Sequence, residues 1–425
     1  VLYEFRVENH RSIRDEQALT MAAGQSGDAT DVRLRQDDAY GEKLLPAAVL
    51  YGANASGKSN VLSALAFMRD AVHFSHAWWE PESGIPRSPF AWGPKRREPS
   101  TFEVSFSVRN CRYEYGFSLN DEIVEEEWLY AWPNGRKQTW FERDGVKFDF
   151  GNNLSGPNEI IQEVTRPNAL FLSVATQHNH PQLTEVYSWF HRITIPPENI
   201  QGRTFAPLLS DRSIRYQYSV AGNSLKQRGL FEPAFNAGAI AQIRQLLRTA
   251  DTGIVDMRVI DDEDASRKMQ FKGQRIQLKH NQDDDDSWLD YDDESQGTRT
   301  IVQMAVPILR SLEQGGLLLV DELESSLHPL LGLRIVEMFC DPATNPRNAQ
   351  IIFTTHDTNL LGTTLGEPPL RRDQIWFTEK GKDGASRLYP LTDYKPRKSE
   401  NLERGYLQGR YGGVPFLGNA SWNVE

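Results

Sequence analysis

Gly52-Ala53-Asn54-Ala55-Ser56-Gly57-Lys58-Ser59 follows the short apolar run Ala47-Ala48-Val49-Leu50-Tyr51. After it, Val61, Leu62, Leu65, Met68 and Val72 recur at helical spacing. A buried strand, a glycine-rich turn and a helix in that order make the octapeptide a phosphate-binding loop rather than a surface turn. The glycines let the backbone curl so that successive N–H groups point inward at phosphate oxygens, and the following helix presents its positive end to the same anion. Lys58 supplies a point charge for β- and γ-phosphates, and the Ser59 hydroxyl is suited to Mg²⁺. Gly52, Asn54, Ser56, Gly57, Lys58, Ser59 and Asn60 are therefore assigned to a bound nucleotide.

Two further strands belong with this loop. Leu317-Leu318-Leu319-Val320 ends in Asp321-Glu322, delivering two carboxylates where ligands bind in open α/β sheets, at the carboxyl end of a strand. Asp321 is placed to hold Mg²⁺, and Glu322 to orient and deprotonate an attacking water. Ile351-Ile352-Phe353-Thr354-Thr355-His356 is a similar strand tipped by His356, a candidate hydrogen-bond donor to the γ-phosphate. Helical patterns at Thr298–Leu312 and Leu330–Phe339 alternate with these strands, which predicts an α/β fold with a mostly parallel sheet and helices on both faces.

Outside that frame the periodicity changes. Val1–Ile13 reads as a half-buried edge strand and Gln17–Ala22 as a second short one. Phe102, Val104, Phe106 and Val108 alternate strictly with polar residues. Further short strands follow across turns such as Asn120-Asp121 and Asp144-Gly145, which predicts an antiparallel meander. Glu185–His191 reads as a helix stopped by Ile195-Pro196-Pro197, and Phe235–Leu247 as another. Residues 254–282 hold short strand-like runs, and Asp283–Asp286 reads as a solvated acidic loop. The expected division is an amino-terminal lobe over 1–180 with the phosphate loop and meander, a helical insertion over 181–300, and a carboxyl-terminal lobe over 301–425.

The 425 residues suffice for a large core, and 39 % hydrophobic with 25 % charged content is that of an ordinary soluble protein. No apolar run reaches membrane-spanning length, and Cys111 and Cys340 make neither a disulfide framework nor a metal-ligand spacing, so a cytoplasmic location is expected. A net charge of −11 argues against a surface that coats nucleic acid everywhere, and leaves Lys95-Arg96-Arg97 and Arg371-Arg372 as local basic candidates.

Taken together, the phosphate loop, the strand ending in Asp-Glu and the strand ending in His resemble the ABC-type ATPase heads of the SMC, Rad50 and RecF group. That resemblance implies a signature motif opening the helix before the second carboxylate strand, and Ser295-Gln296-Gly297-Thr298 occupies that position. It implies that Ser295, Gly297 and Thr298 meet the γ-phosphate held by another protomer, that Ser325-Ser326-Leu327-His328 crosses the dimer interface, and that Gln177 senses Mg²⁺. The opening Phe5–Ile13, the block Glu294–Thr298, Val320–Pro329, Asp373–Phe377 and the ending Tyr406–Pro415 look more narrowly like the AAA15 or RloA-like ATPases of prokaryotic phage-defence loci. OLD nucleases and the ATPases of the PARIS and Septu systems are related groups. No sustained heptads and no carboxyl-terminal nuclease domain are visible, so the resemblance implies an ATP- and Mg²⁺-dependent homodimer of heads, or a higher oligomer, acting on a separate toxin or nuclease. A RecF-type ATPase that binds DNA and a nucleotide-gated module without turnover are the rival readings.

Overall fold

The computed structural model of the chain describes residues 1–24, 30–196, 244–245, 247–248, 253–261, 274–280, 287–325, 327–363, 366, 368–397 and 400–414. Alternating apolar residues build an antiparallel sheet first. In β1 (Leu2–Glu8), Phe5 and Val7 face the core, and a register shift between Leu2 and Glu4 brings Leu2 to the core as well. β2 (Gln17–Thr20) pairs antiparallel with it, Phe5 opposite Leu19. A two-stranded ribbon, β3 (Arg35–Asp37) and β4 (Glu42–Leu44), leads to β5 (Ala47–Gly52), all six of whose residues are buried. Helix α1 (Lys58–Trp78) runs beyond the last apolar position at Val72, its final turns supported by Phe74 stacked on Trp78 at 3.8 Å.

The meander is β6 (Ser100–Val108), β7 (Cys111–Leu119), β8 (Val124–Trp132), β9 (Gln138–Asp144) and β10 (Lys147–Phe150). It joins the opening strands in one sheet of order β10-β9-β8-β7-β6-β1-β2. The edge position expected for β1 is thus incorrect: β1 lies between β6 and β2, and β2 is the edge. Its second partner arrives about a hundred residues later, a pairing that leaves no local trace in the sequence.

Three short helices follow, α2 (Asn158–Val164), α3 (Phe171–Gln177) and α4 (Leu183–His191). The last two pack along α1 through His76 N donating to Ser173 Oγ at 3.3 Å and His73 Nδ1 beside Tyr187 Oη at 3.0 Å. Buried Glu127 ties the meander to α3, accepting from the backbone N–H of Phe171 at 2.7 Å and Leu172 at 3.0 Å and from Tyr115 Oη at 2.9 Å, with the Arg143 guanidinium 3.5 Å away.

After the two-residue β11 (Ile193–Thr194), the described part of the expected helical insertion, which begins with α4, holds helical residues 244–245 and 247–248 and an antiparallel sheet of β12 (Ile254–Asp261), β13 (Gln274–His280) and β14 (Trp288–Asp290). Asp283–Asp286 and most of Phe235–Leu247 lie outside the described residues. The chain then continues through α5 (Gln296–Gln314), β15 (Leu317–Val320), α6 (Pro329–Cys340), β16 (Gln350–Thr354), β17 (Ile375–Lys380), β18 (Ser386–Pro390) and α7 (Leu402–Leu407).

The second sheet has the order β11-β15-β16-β5-β17-β18, parallel throughout except for β18. Its central strand β5 is clamped on both faces. Ala48 and Leu50 join the core shared with α1 and the antiparallel sheet, whereas Ala47, Val49 and Tyr51 join the core built with α5 and α6. Near the carboxyl terminus, Tyr406 and Tyr411 stack on Phe377 at 5.5 and 5.9 Å beside Tyr51, fastening the strand that carries the phosphate loop. Among the described residues no helix is long and apolar enough to cross a membrane.

Candidate functional site

Parallel pairing fixes where the chemistry meets. Val320 is level with Phe353 and Thr354 with Leu50, so Asp321, Thr354 and the loop after β5 emerge side by side at one edge of the sheet. The loop is tightly built. A Cβ at Gly52 would strike the Thr378 hydroxyl, and Gly57 has φ 110° with its Cα facing Ser386 so closely that no side chain fits. Ser56 Oγ bonds Thr378 Oγ1 at 2.6 Å, while Ser386 Oγ donates to Ser56 O at 2.6 Å. Asn54 is exposed at the crown of the loop, next to Ala55 with φ 61°. Asn60 Nδ2 donates to Ser12 Oγ at 2.6 Å, joining the first turn of α1 to the turn between β1 and β2.

Buried Lys58 folds back on its own loop, its Nζ donating to Gly52 O at 2.8 Å and Ala53 O at 3.2 Å. Burial lowers its pKa, opposed by the carboxylates of Asp321, Glu322 and Glu324. Ser59 Oγ donates to both oxygens of Asp321, at 2.9 and 3.0 Å. Octahedral Mg²⁺ with ligands at about 2.0–2.1 Å holds adjacent ligand oxygens roughly 2.9 Å apart. The hydroxyl and carboxylate already have the separation of two neighbouring ligands, so the donor set fits that ion.

Thr354, fully buried, completes the arrangement. Its hydroxyl donates to Asp321 Oδ1 at 2.6 Å and accepts from the Glu322 backbone N–H at 2.7 Å. That second bond holds Glu322 at φ 50°, a left-handed conformation unusual for a glutamate, with the side chain exposed. His356 is also exposed, just past the tip of β16.

Two residues near these groups drew no role from sequence reasoning. Arg11, at φ 53°, reaches Asn60 Oδ1 with Nη1 at 3.3 Å, and its pKa is lowered to about 10 by burial while Asp321 pulls it upward. It adds a second cation on the Asp321 side of the loop. The Glu324 carboxylate accepts from Thr355 Oγ1 at 2.7 Å and from the His356 backbone N–H at 2.6 Å. The opening Phe5–Ile13 block and the spacing of Glu324 two residues after Glu322 were the available signals.

Other expectations fare differently. Gln177 is not brought to the loop. His178 beside it lies against His76, ring centroids 6.4 Å apart, and at 1.5 Å per residue His76 is roughly 25 Å along α1 from Ser59. Gln177 thus sits at the wrong end of that helix to hold a metal at Ser59. Ser295 caps α5, its Oγ accepting from Thr298 N at 3.2 Å and bonding Thr298 Oγ1 at 2.9 Å, and the helix start at Ser295 and Gln296 is exposed, with Gly297 beside it. Ser325 is exposed, Ser326 lies outside the described residues, and His328 caps α6. Of the basic runs, Arg371 is buried in ion pairs with Asp31 at 3.0 Å and Asp373 at 2.8 Å, so it is not a surface cation; Lys95 is paired with Glu8 and Glu98.

Three solved SMC heads match the chain over nearly its whole length. The head domain from Thermotoga maritima shares 11 % identity at a TM-score of 0.38, covering 92 % of this chain and 98 % of that one. The Pyrococcus furiosus head with an extended coiled coil, bound to the carboxyl-terminal domain of ScpA, gives 12 %, 0.41, 93 % and 97 %. The Pyrococcus yayanosii head with a coiled coil and joint gives 11 %, 0.42, 93 % and 99 %. No curated protein matches. Residues 47–362, from β5 to the turn after His356, match the family described as "AAA domain, putative AbiEii toxin, Type IV TA system", and the chain belongs to that family.

Proposed function

We propose that this chain is an ABC-type ATPase head that closes in pairs on ATP and Mg²⁺, and that assembly or hydrolysis governs a separate toxin or nuclease in defence against phage, in the manner of the RloA-like ATPases. The observation that carries the ATPase reading is the pair of contacts from Ser59 to Asp321 at 2.9 and 3.0 Å, set between Lys58 and the exposed Glu322. A bound Mg²⁺ supplies charge neutralisation at the β- and γ-phosphate oxygens. Lys58 exchanges two loop carbonyls for phosphate oxygens, and the N–H groups at the start of α1 take the rest of the anion. Glu322 accepts a proton from the attacking water, and His356 donates to the γ-phosphate. At the start of α5, exposed Ser295 and half-buried Gly297 meet triphosphate held by a second copy, with Thr298 buried behind them as the partner of the Ser295 hydroxyl. The family description, which names a toxin of a toxin–antitoxin system, supports the effector.

Glu322→Gln and Lys58→Ala test this together. The glutamine variant should bind ATP and elute as a nucleotide-dependent dimer with turnover reduced at least about a hundredfold, and the alanine variant should bind no nucleotide. Normal turnover in either contradicts the role given to that residue. Phage plating on cells carrying the native locus reads the defence role: Lys58→Ala should restore plaques, and unchanged protection removes the defence reading.

A further inference from the structure

We infer that Glu324 is a positioning residue for hydrolysis, a clasp that locks the turn carrying Glu322 to the strand tip carrying His356; this rests on the ATPase reading above. The turn after β15 closes on itself through Ser325 N donating to Glu322 O at 2.8 Å and Leu327 N donating to Glu324 O at 3.0 Å. Leu323 N donates to Thr354 O at 3.0 Å and ties the middle of the turn to β16, but none of these bonds reaches Thr355 or His356. The Glu324 side chain does so, taking the Thr355 hydroxyl on one oxygen and the His356 N–H on the other. Thr355 Oγ1 in turn accepts from Asp357 N at 3.0 Å, so one carboxylate organises three successive residues at the tip.

Thr354 bridges the same two strands one layer deeper, through Asp321 and the Glu322 N–H. Thr354 sets the metal side of the site, whereas Glu324 sets the side of the water and the γ-phosphate. A glutamine cannot replace it, because it offers one acceptor oxygen for two donors and turns an N–H₂ group towards the other.

The test is steady-state hydrolysis and equilibrium ATP binding for Glu324→Gln, His356→Ala and the double variant, with melting temperatures alongside. Loss of one charged hydrogen bond predicts kcat lower by roughly 10- to 100-fold, with the dissociation constant for ATP within about threefold of wild type. Because Glu324 acts through His356, the double variant should be no slower than His356→Ala alone. Multiplying losses, an unchanged kcat, or a fall in ATP affinity that matches the fall in kcat would each overturn the clasp. Thr355→Val removes one donor from the opposite side and should reproduce the kcat loss if Glu324→Gln does not fold. Failure of the ATPase reading looks different, as wild-type protein whose nucleotide binding does not depend on Lys58.

Discussion

Replacing Thr354 by valine removes one hydroxyl from the junction between β15 and β16 and changes almost nothing else in shape. The residue is fully buried, and its hydroxyl serves two partners at once, Asp321 Oδ1 at 2.6 Å and the Glu322 N–H at 2.7 Å. A hydrogen bond to a charged group is worth about 1.5–3 kcal/mol, and a buried N–H left without an acceptor costs about 1–3 kcal/mol. Asp321 keeps both contacts from Ser59, which offsets part of the first loss, so a net destabilisation of about 3 kcal/mol is expected. For a chain of 425 residues, whose unfolding entropy is about 2.1 cal/mol/K per residue, that corresponds to a melting temperature lower by about 3 °C. Activity should fall more steeply than stability, because the lost N–H bond is what holds Glu322 in its left-handed conformation. Thr354→Ser is the control. It keeps both bonds and deletes one buried methyl, at a cost of about 1 kcal/mol. Differential scanning calorimetry and ATP turnover on the two variants decide the matter. If valine and serine melt together and turn over alike, the hydroxyl does not hold the junction and the reasoning fails.

A side chain at Gly57 is excluded twice, by φ 110° and by the Ser386 hydroxyl, so Gly57→Ala should abolish binding of a fluorescent ATP analogue; retained affinity would show that the loop reshapes freely. Acid should destabilise the protein well before its carboxylates titrate. Burial lowers the pKa of His10 to about 3, reinforced by Arg11, and that of His73 to about 3, reinforced by Arg69. Both rings are neutral when folded and protonate near 6.5 when unfolded, so their contribution is complete above pH 6.5 and is lost as the pH falls below it. Each should cost roughly 2 kcal/mol between pH 6.5 and pH 5. Urea unfolding at pH 7.5 and 5.0 should show this, with a flatter dependence in His73→Gln; equal stability at the two pH values would refute it.

What the sequence disclosed was whatever is local. The phosphate loop, the Asp-Glu strand and the His strand each carry their meaning in a run of under ten residues, and a parallel sheet brings the ends of such strands together without further instruction. What it concealed was pairwise. The second partner of β1, the clasp from Glu324 to Thr355 and His356, and the approach of Arg11 to Asn60 all join segments whose nearness depends on the completed fold. Gln177 shows the same limit from the other side. The resemblance implies that Gln177 senses Mg²⁺, yet Gln177 ends α3, docked on the far end of α1 by Ser173 and His76. The strand that extends the parallel sheet beyond β15 is β11, with Ile193 level with Leu317 and Thr194 with Leu318. Only two residues long, it has too few positions for a period to show.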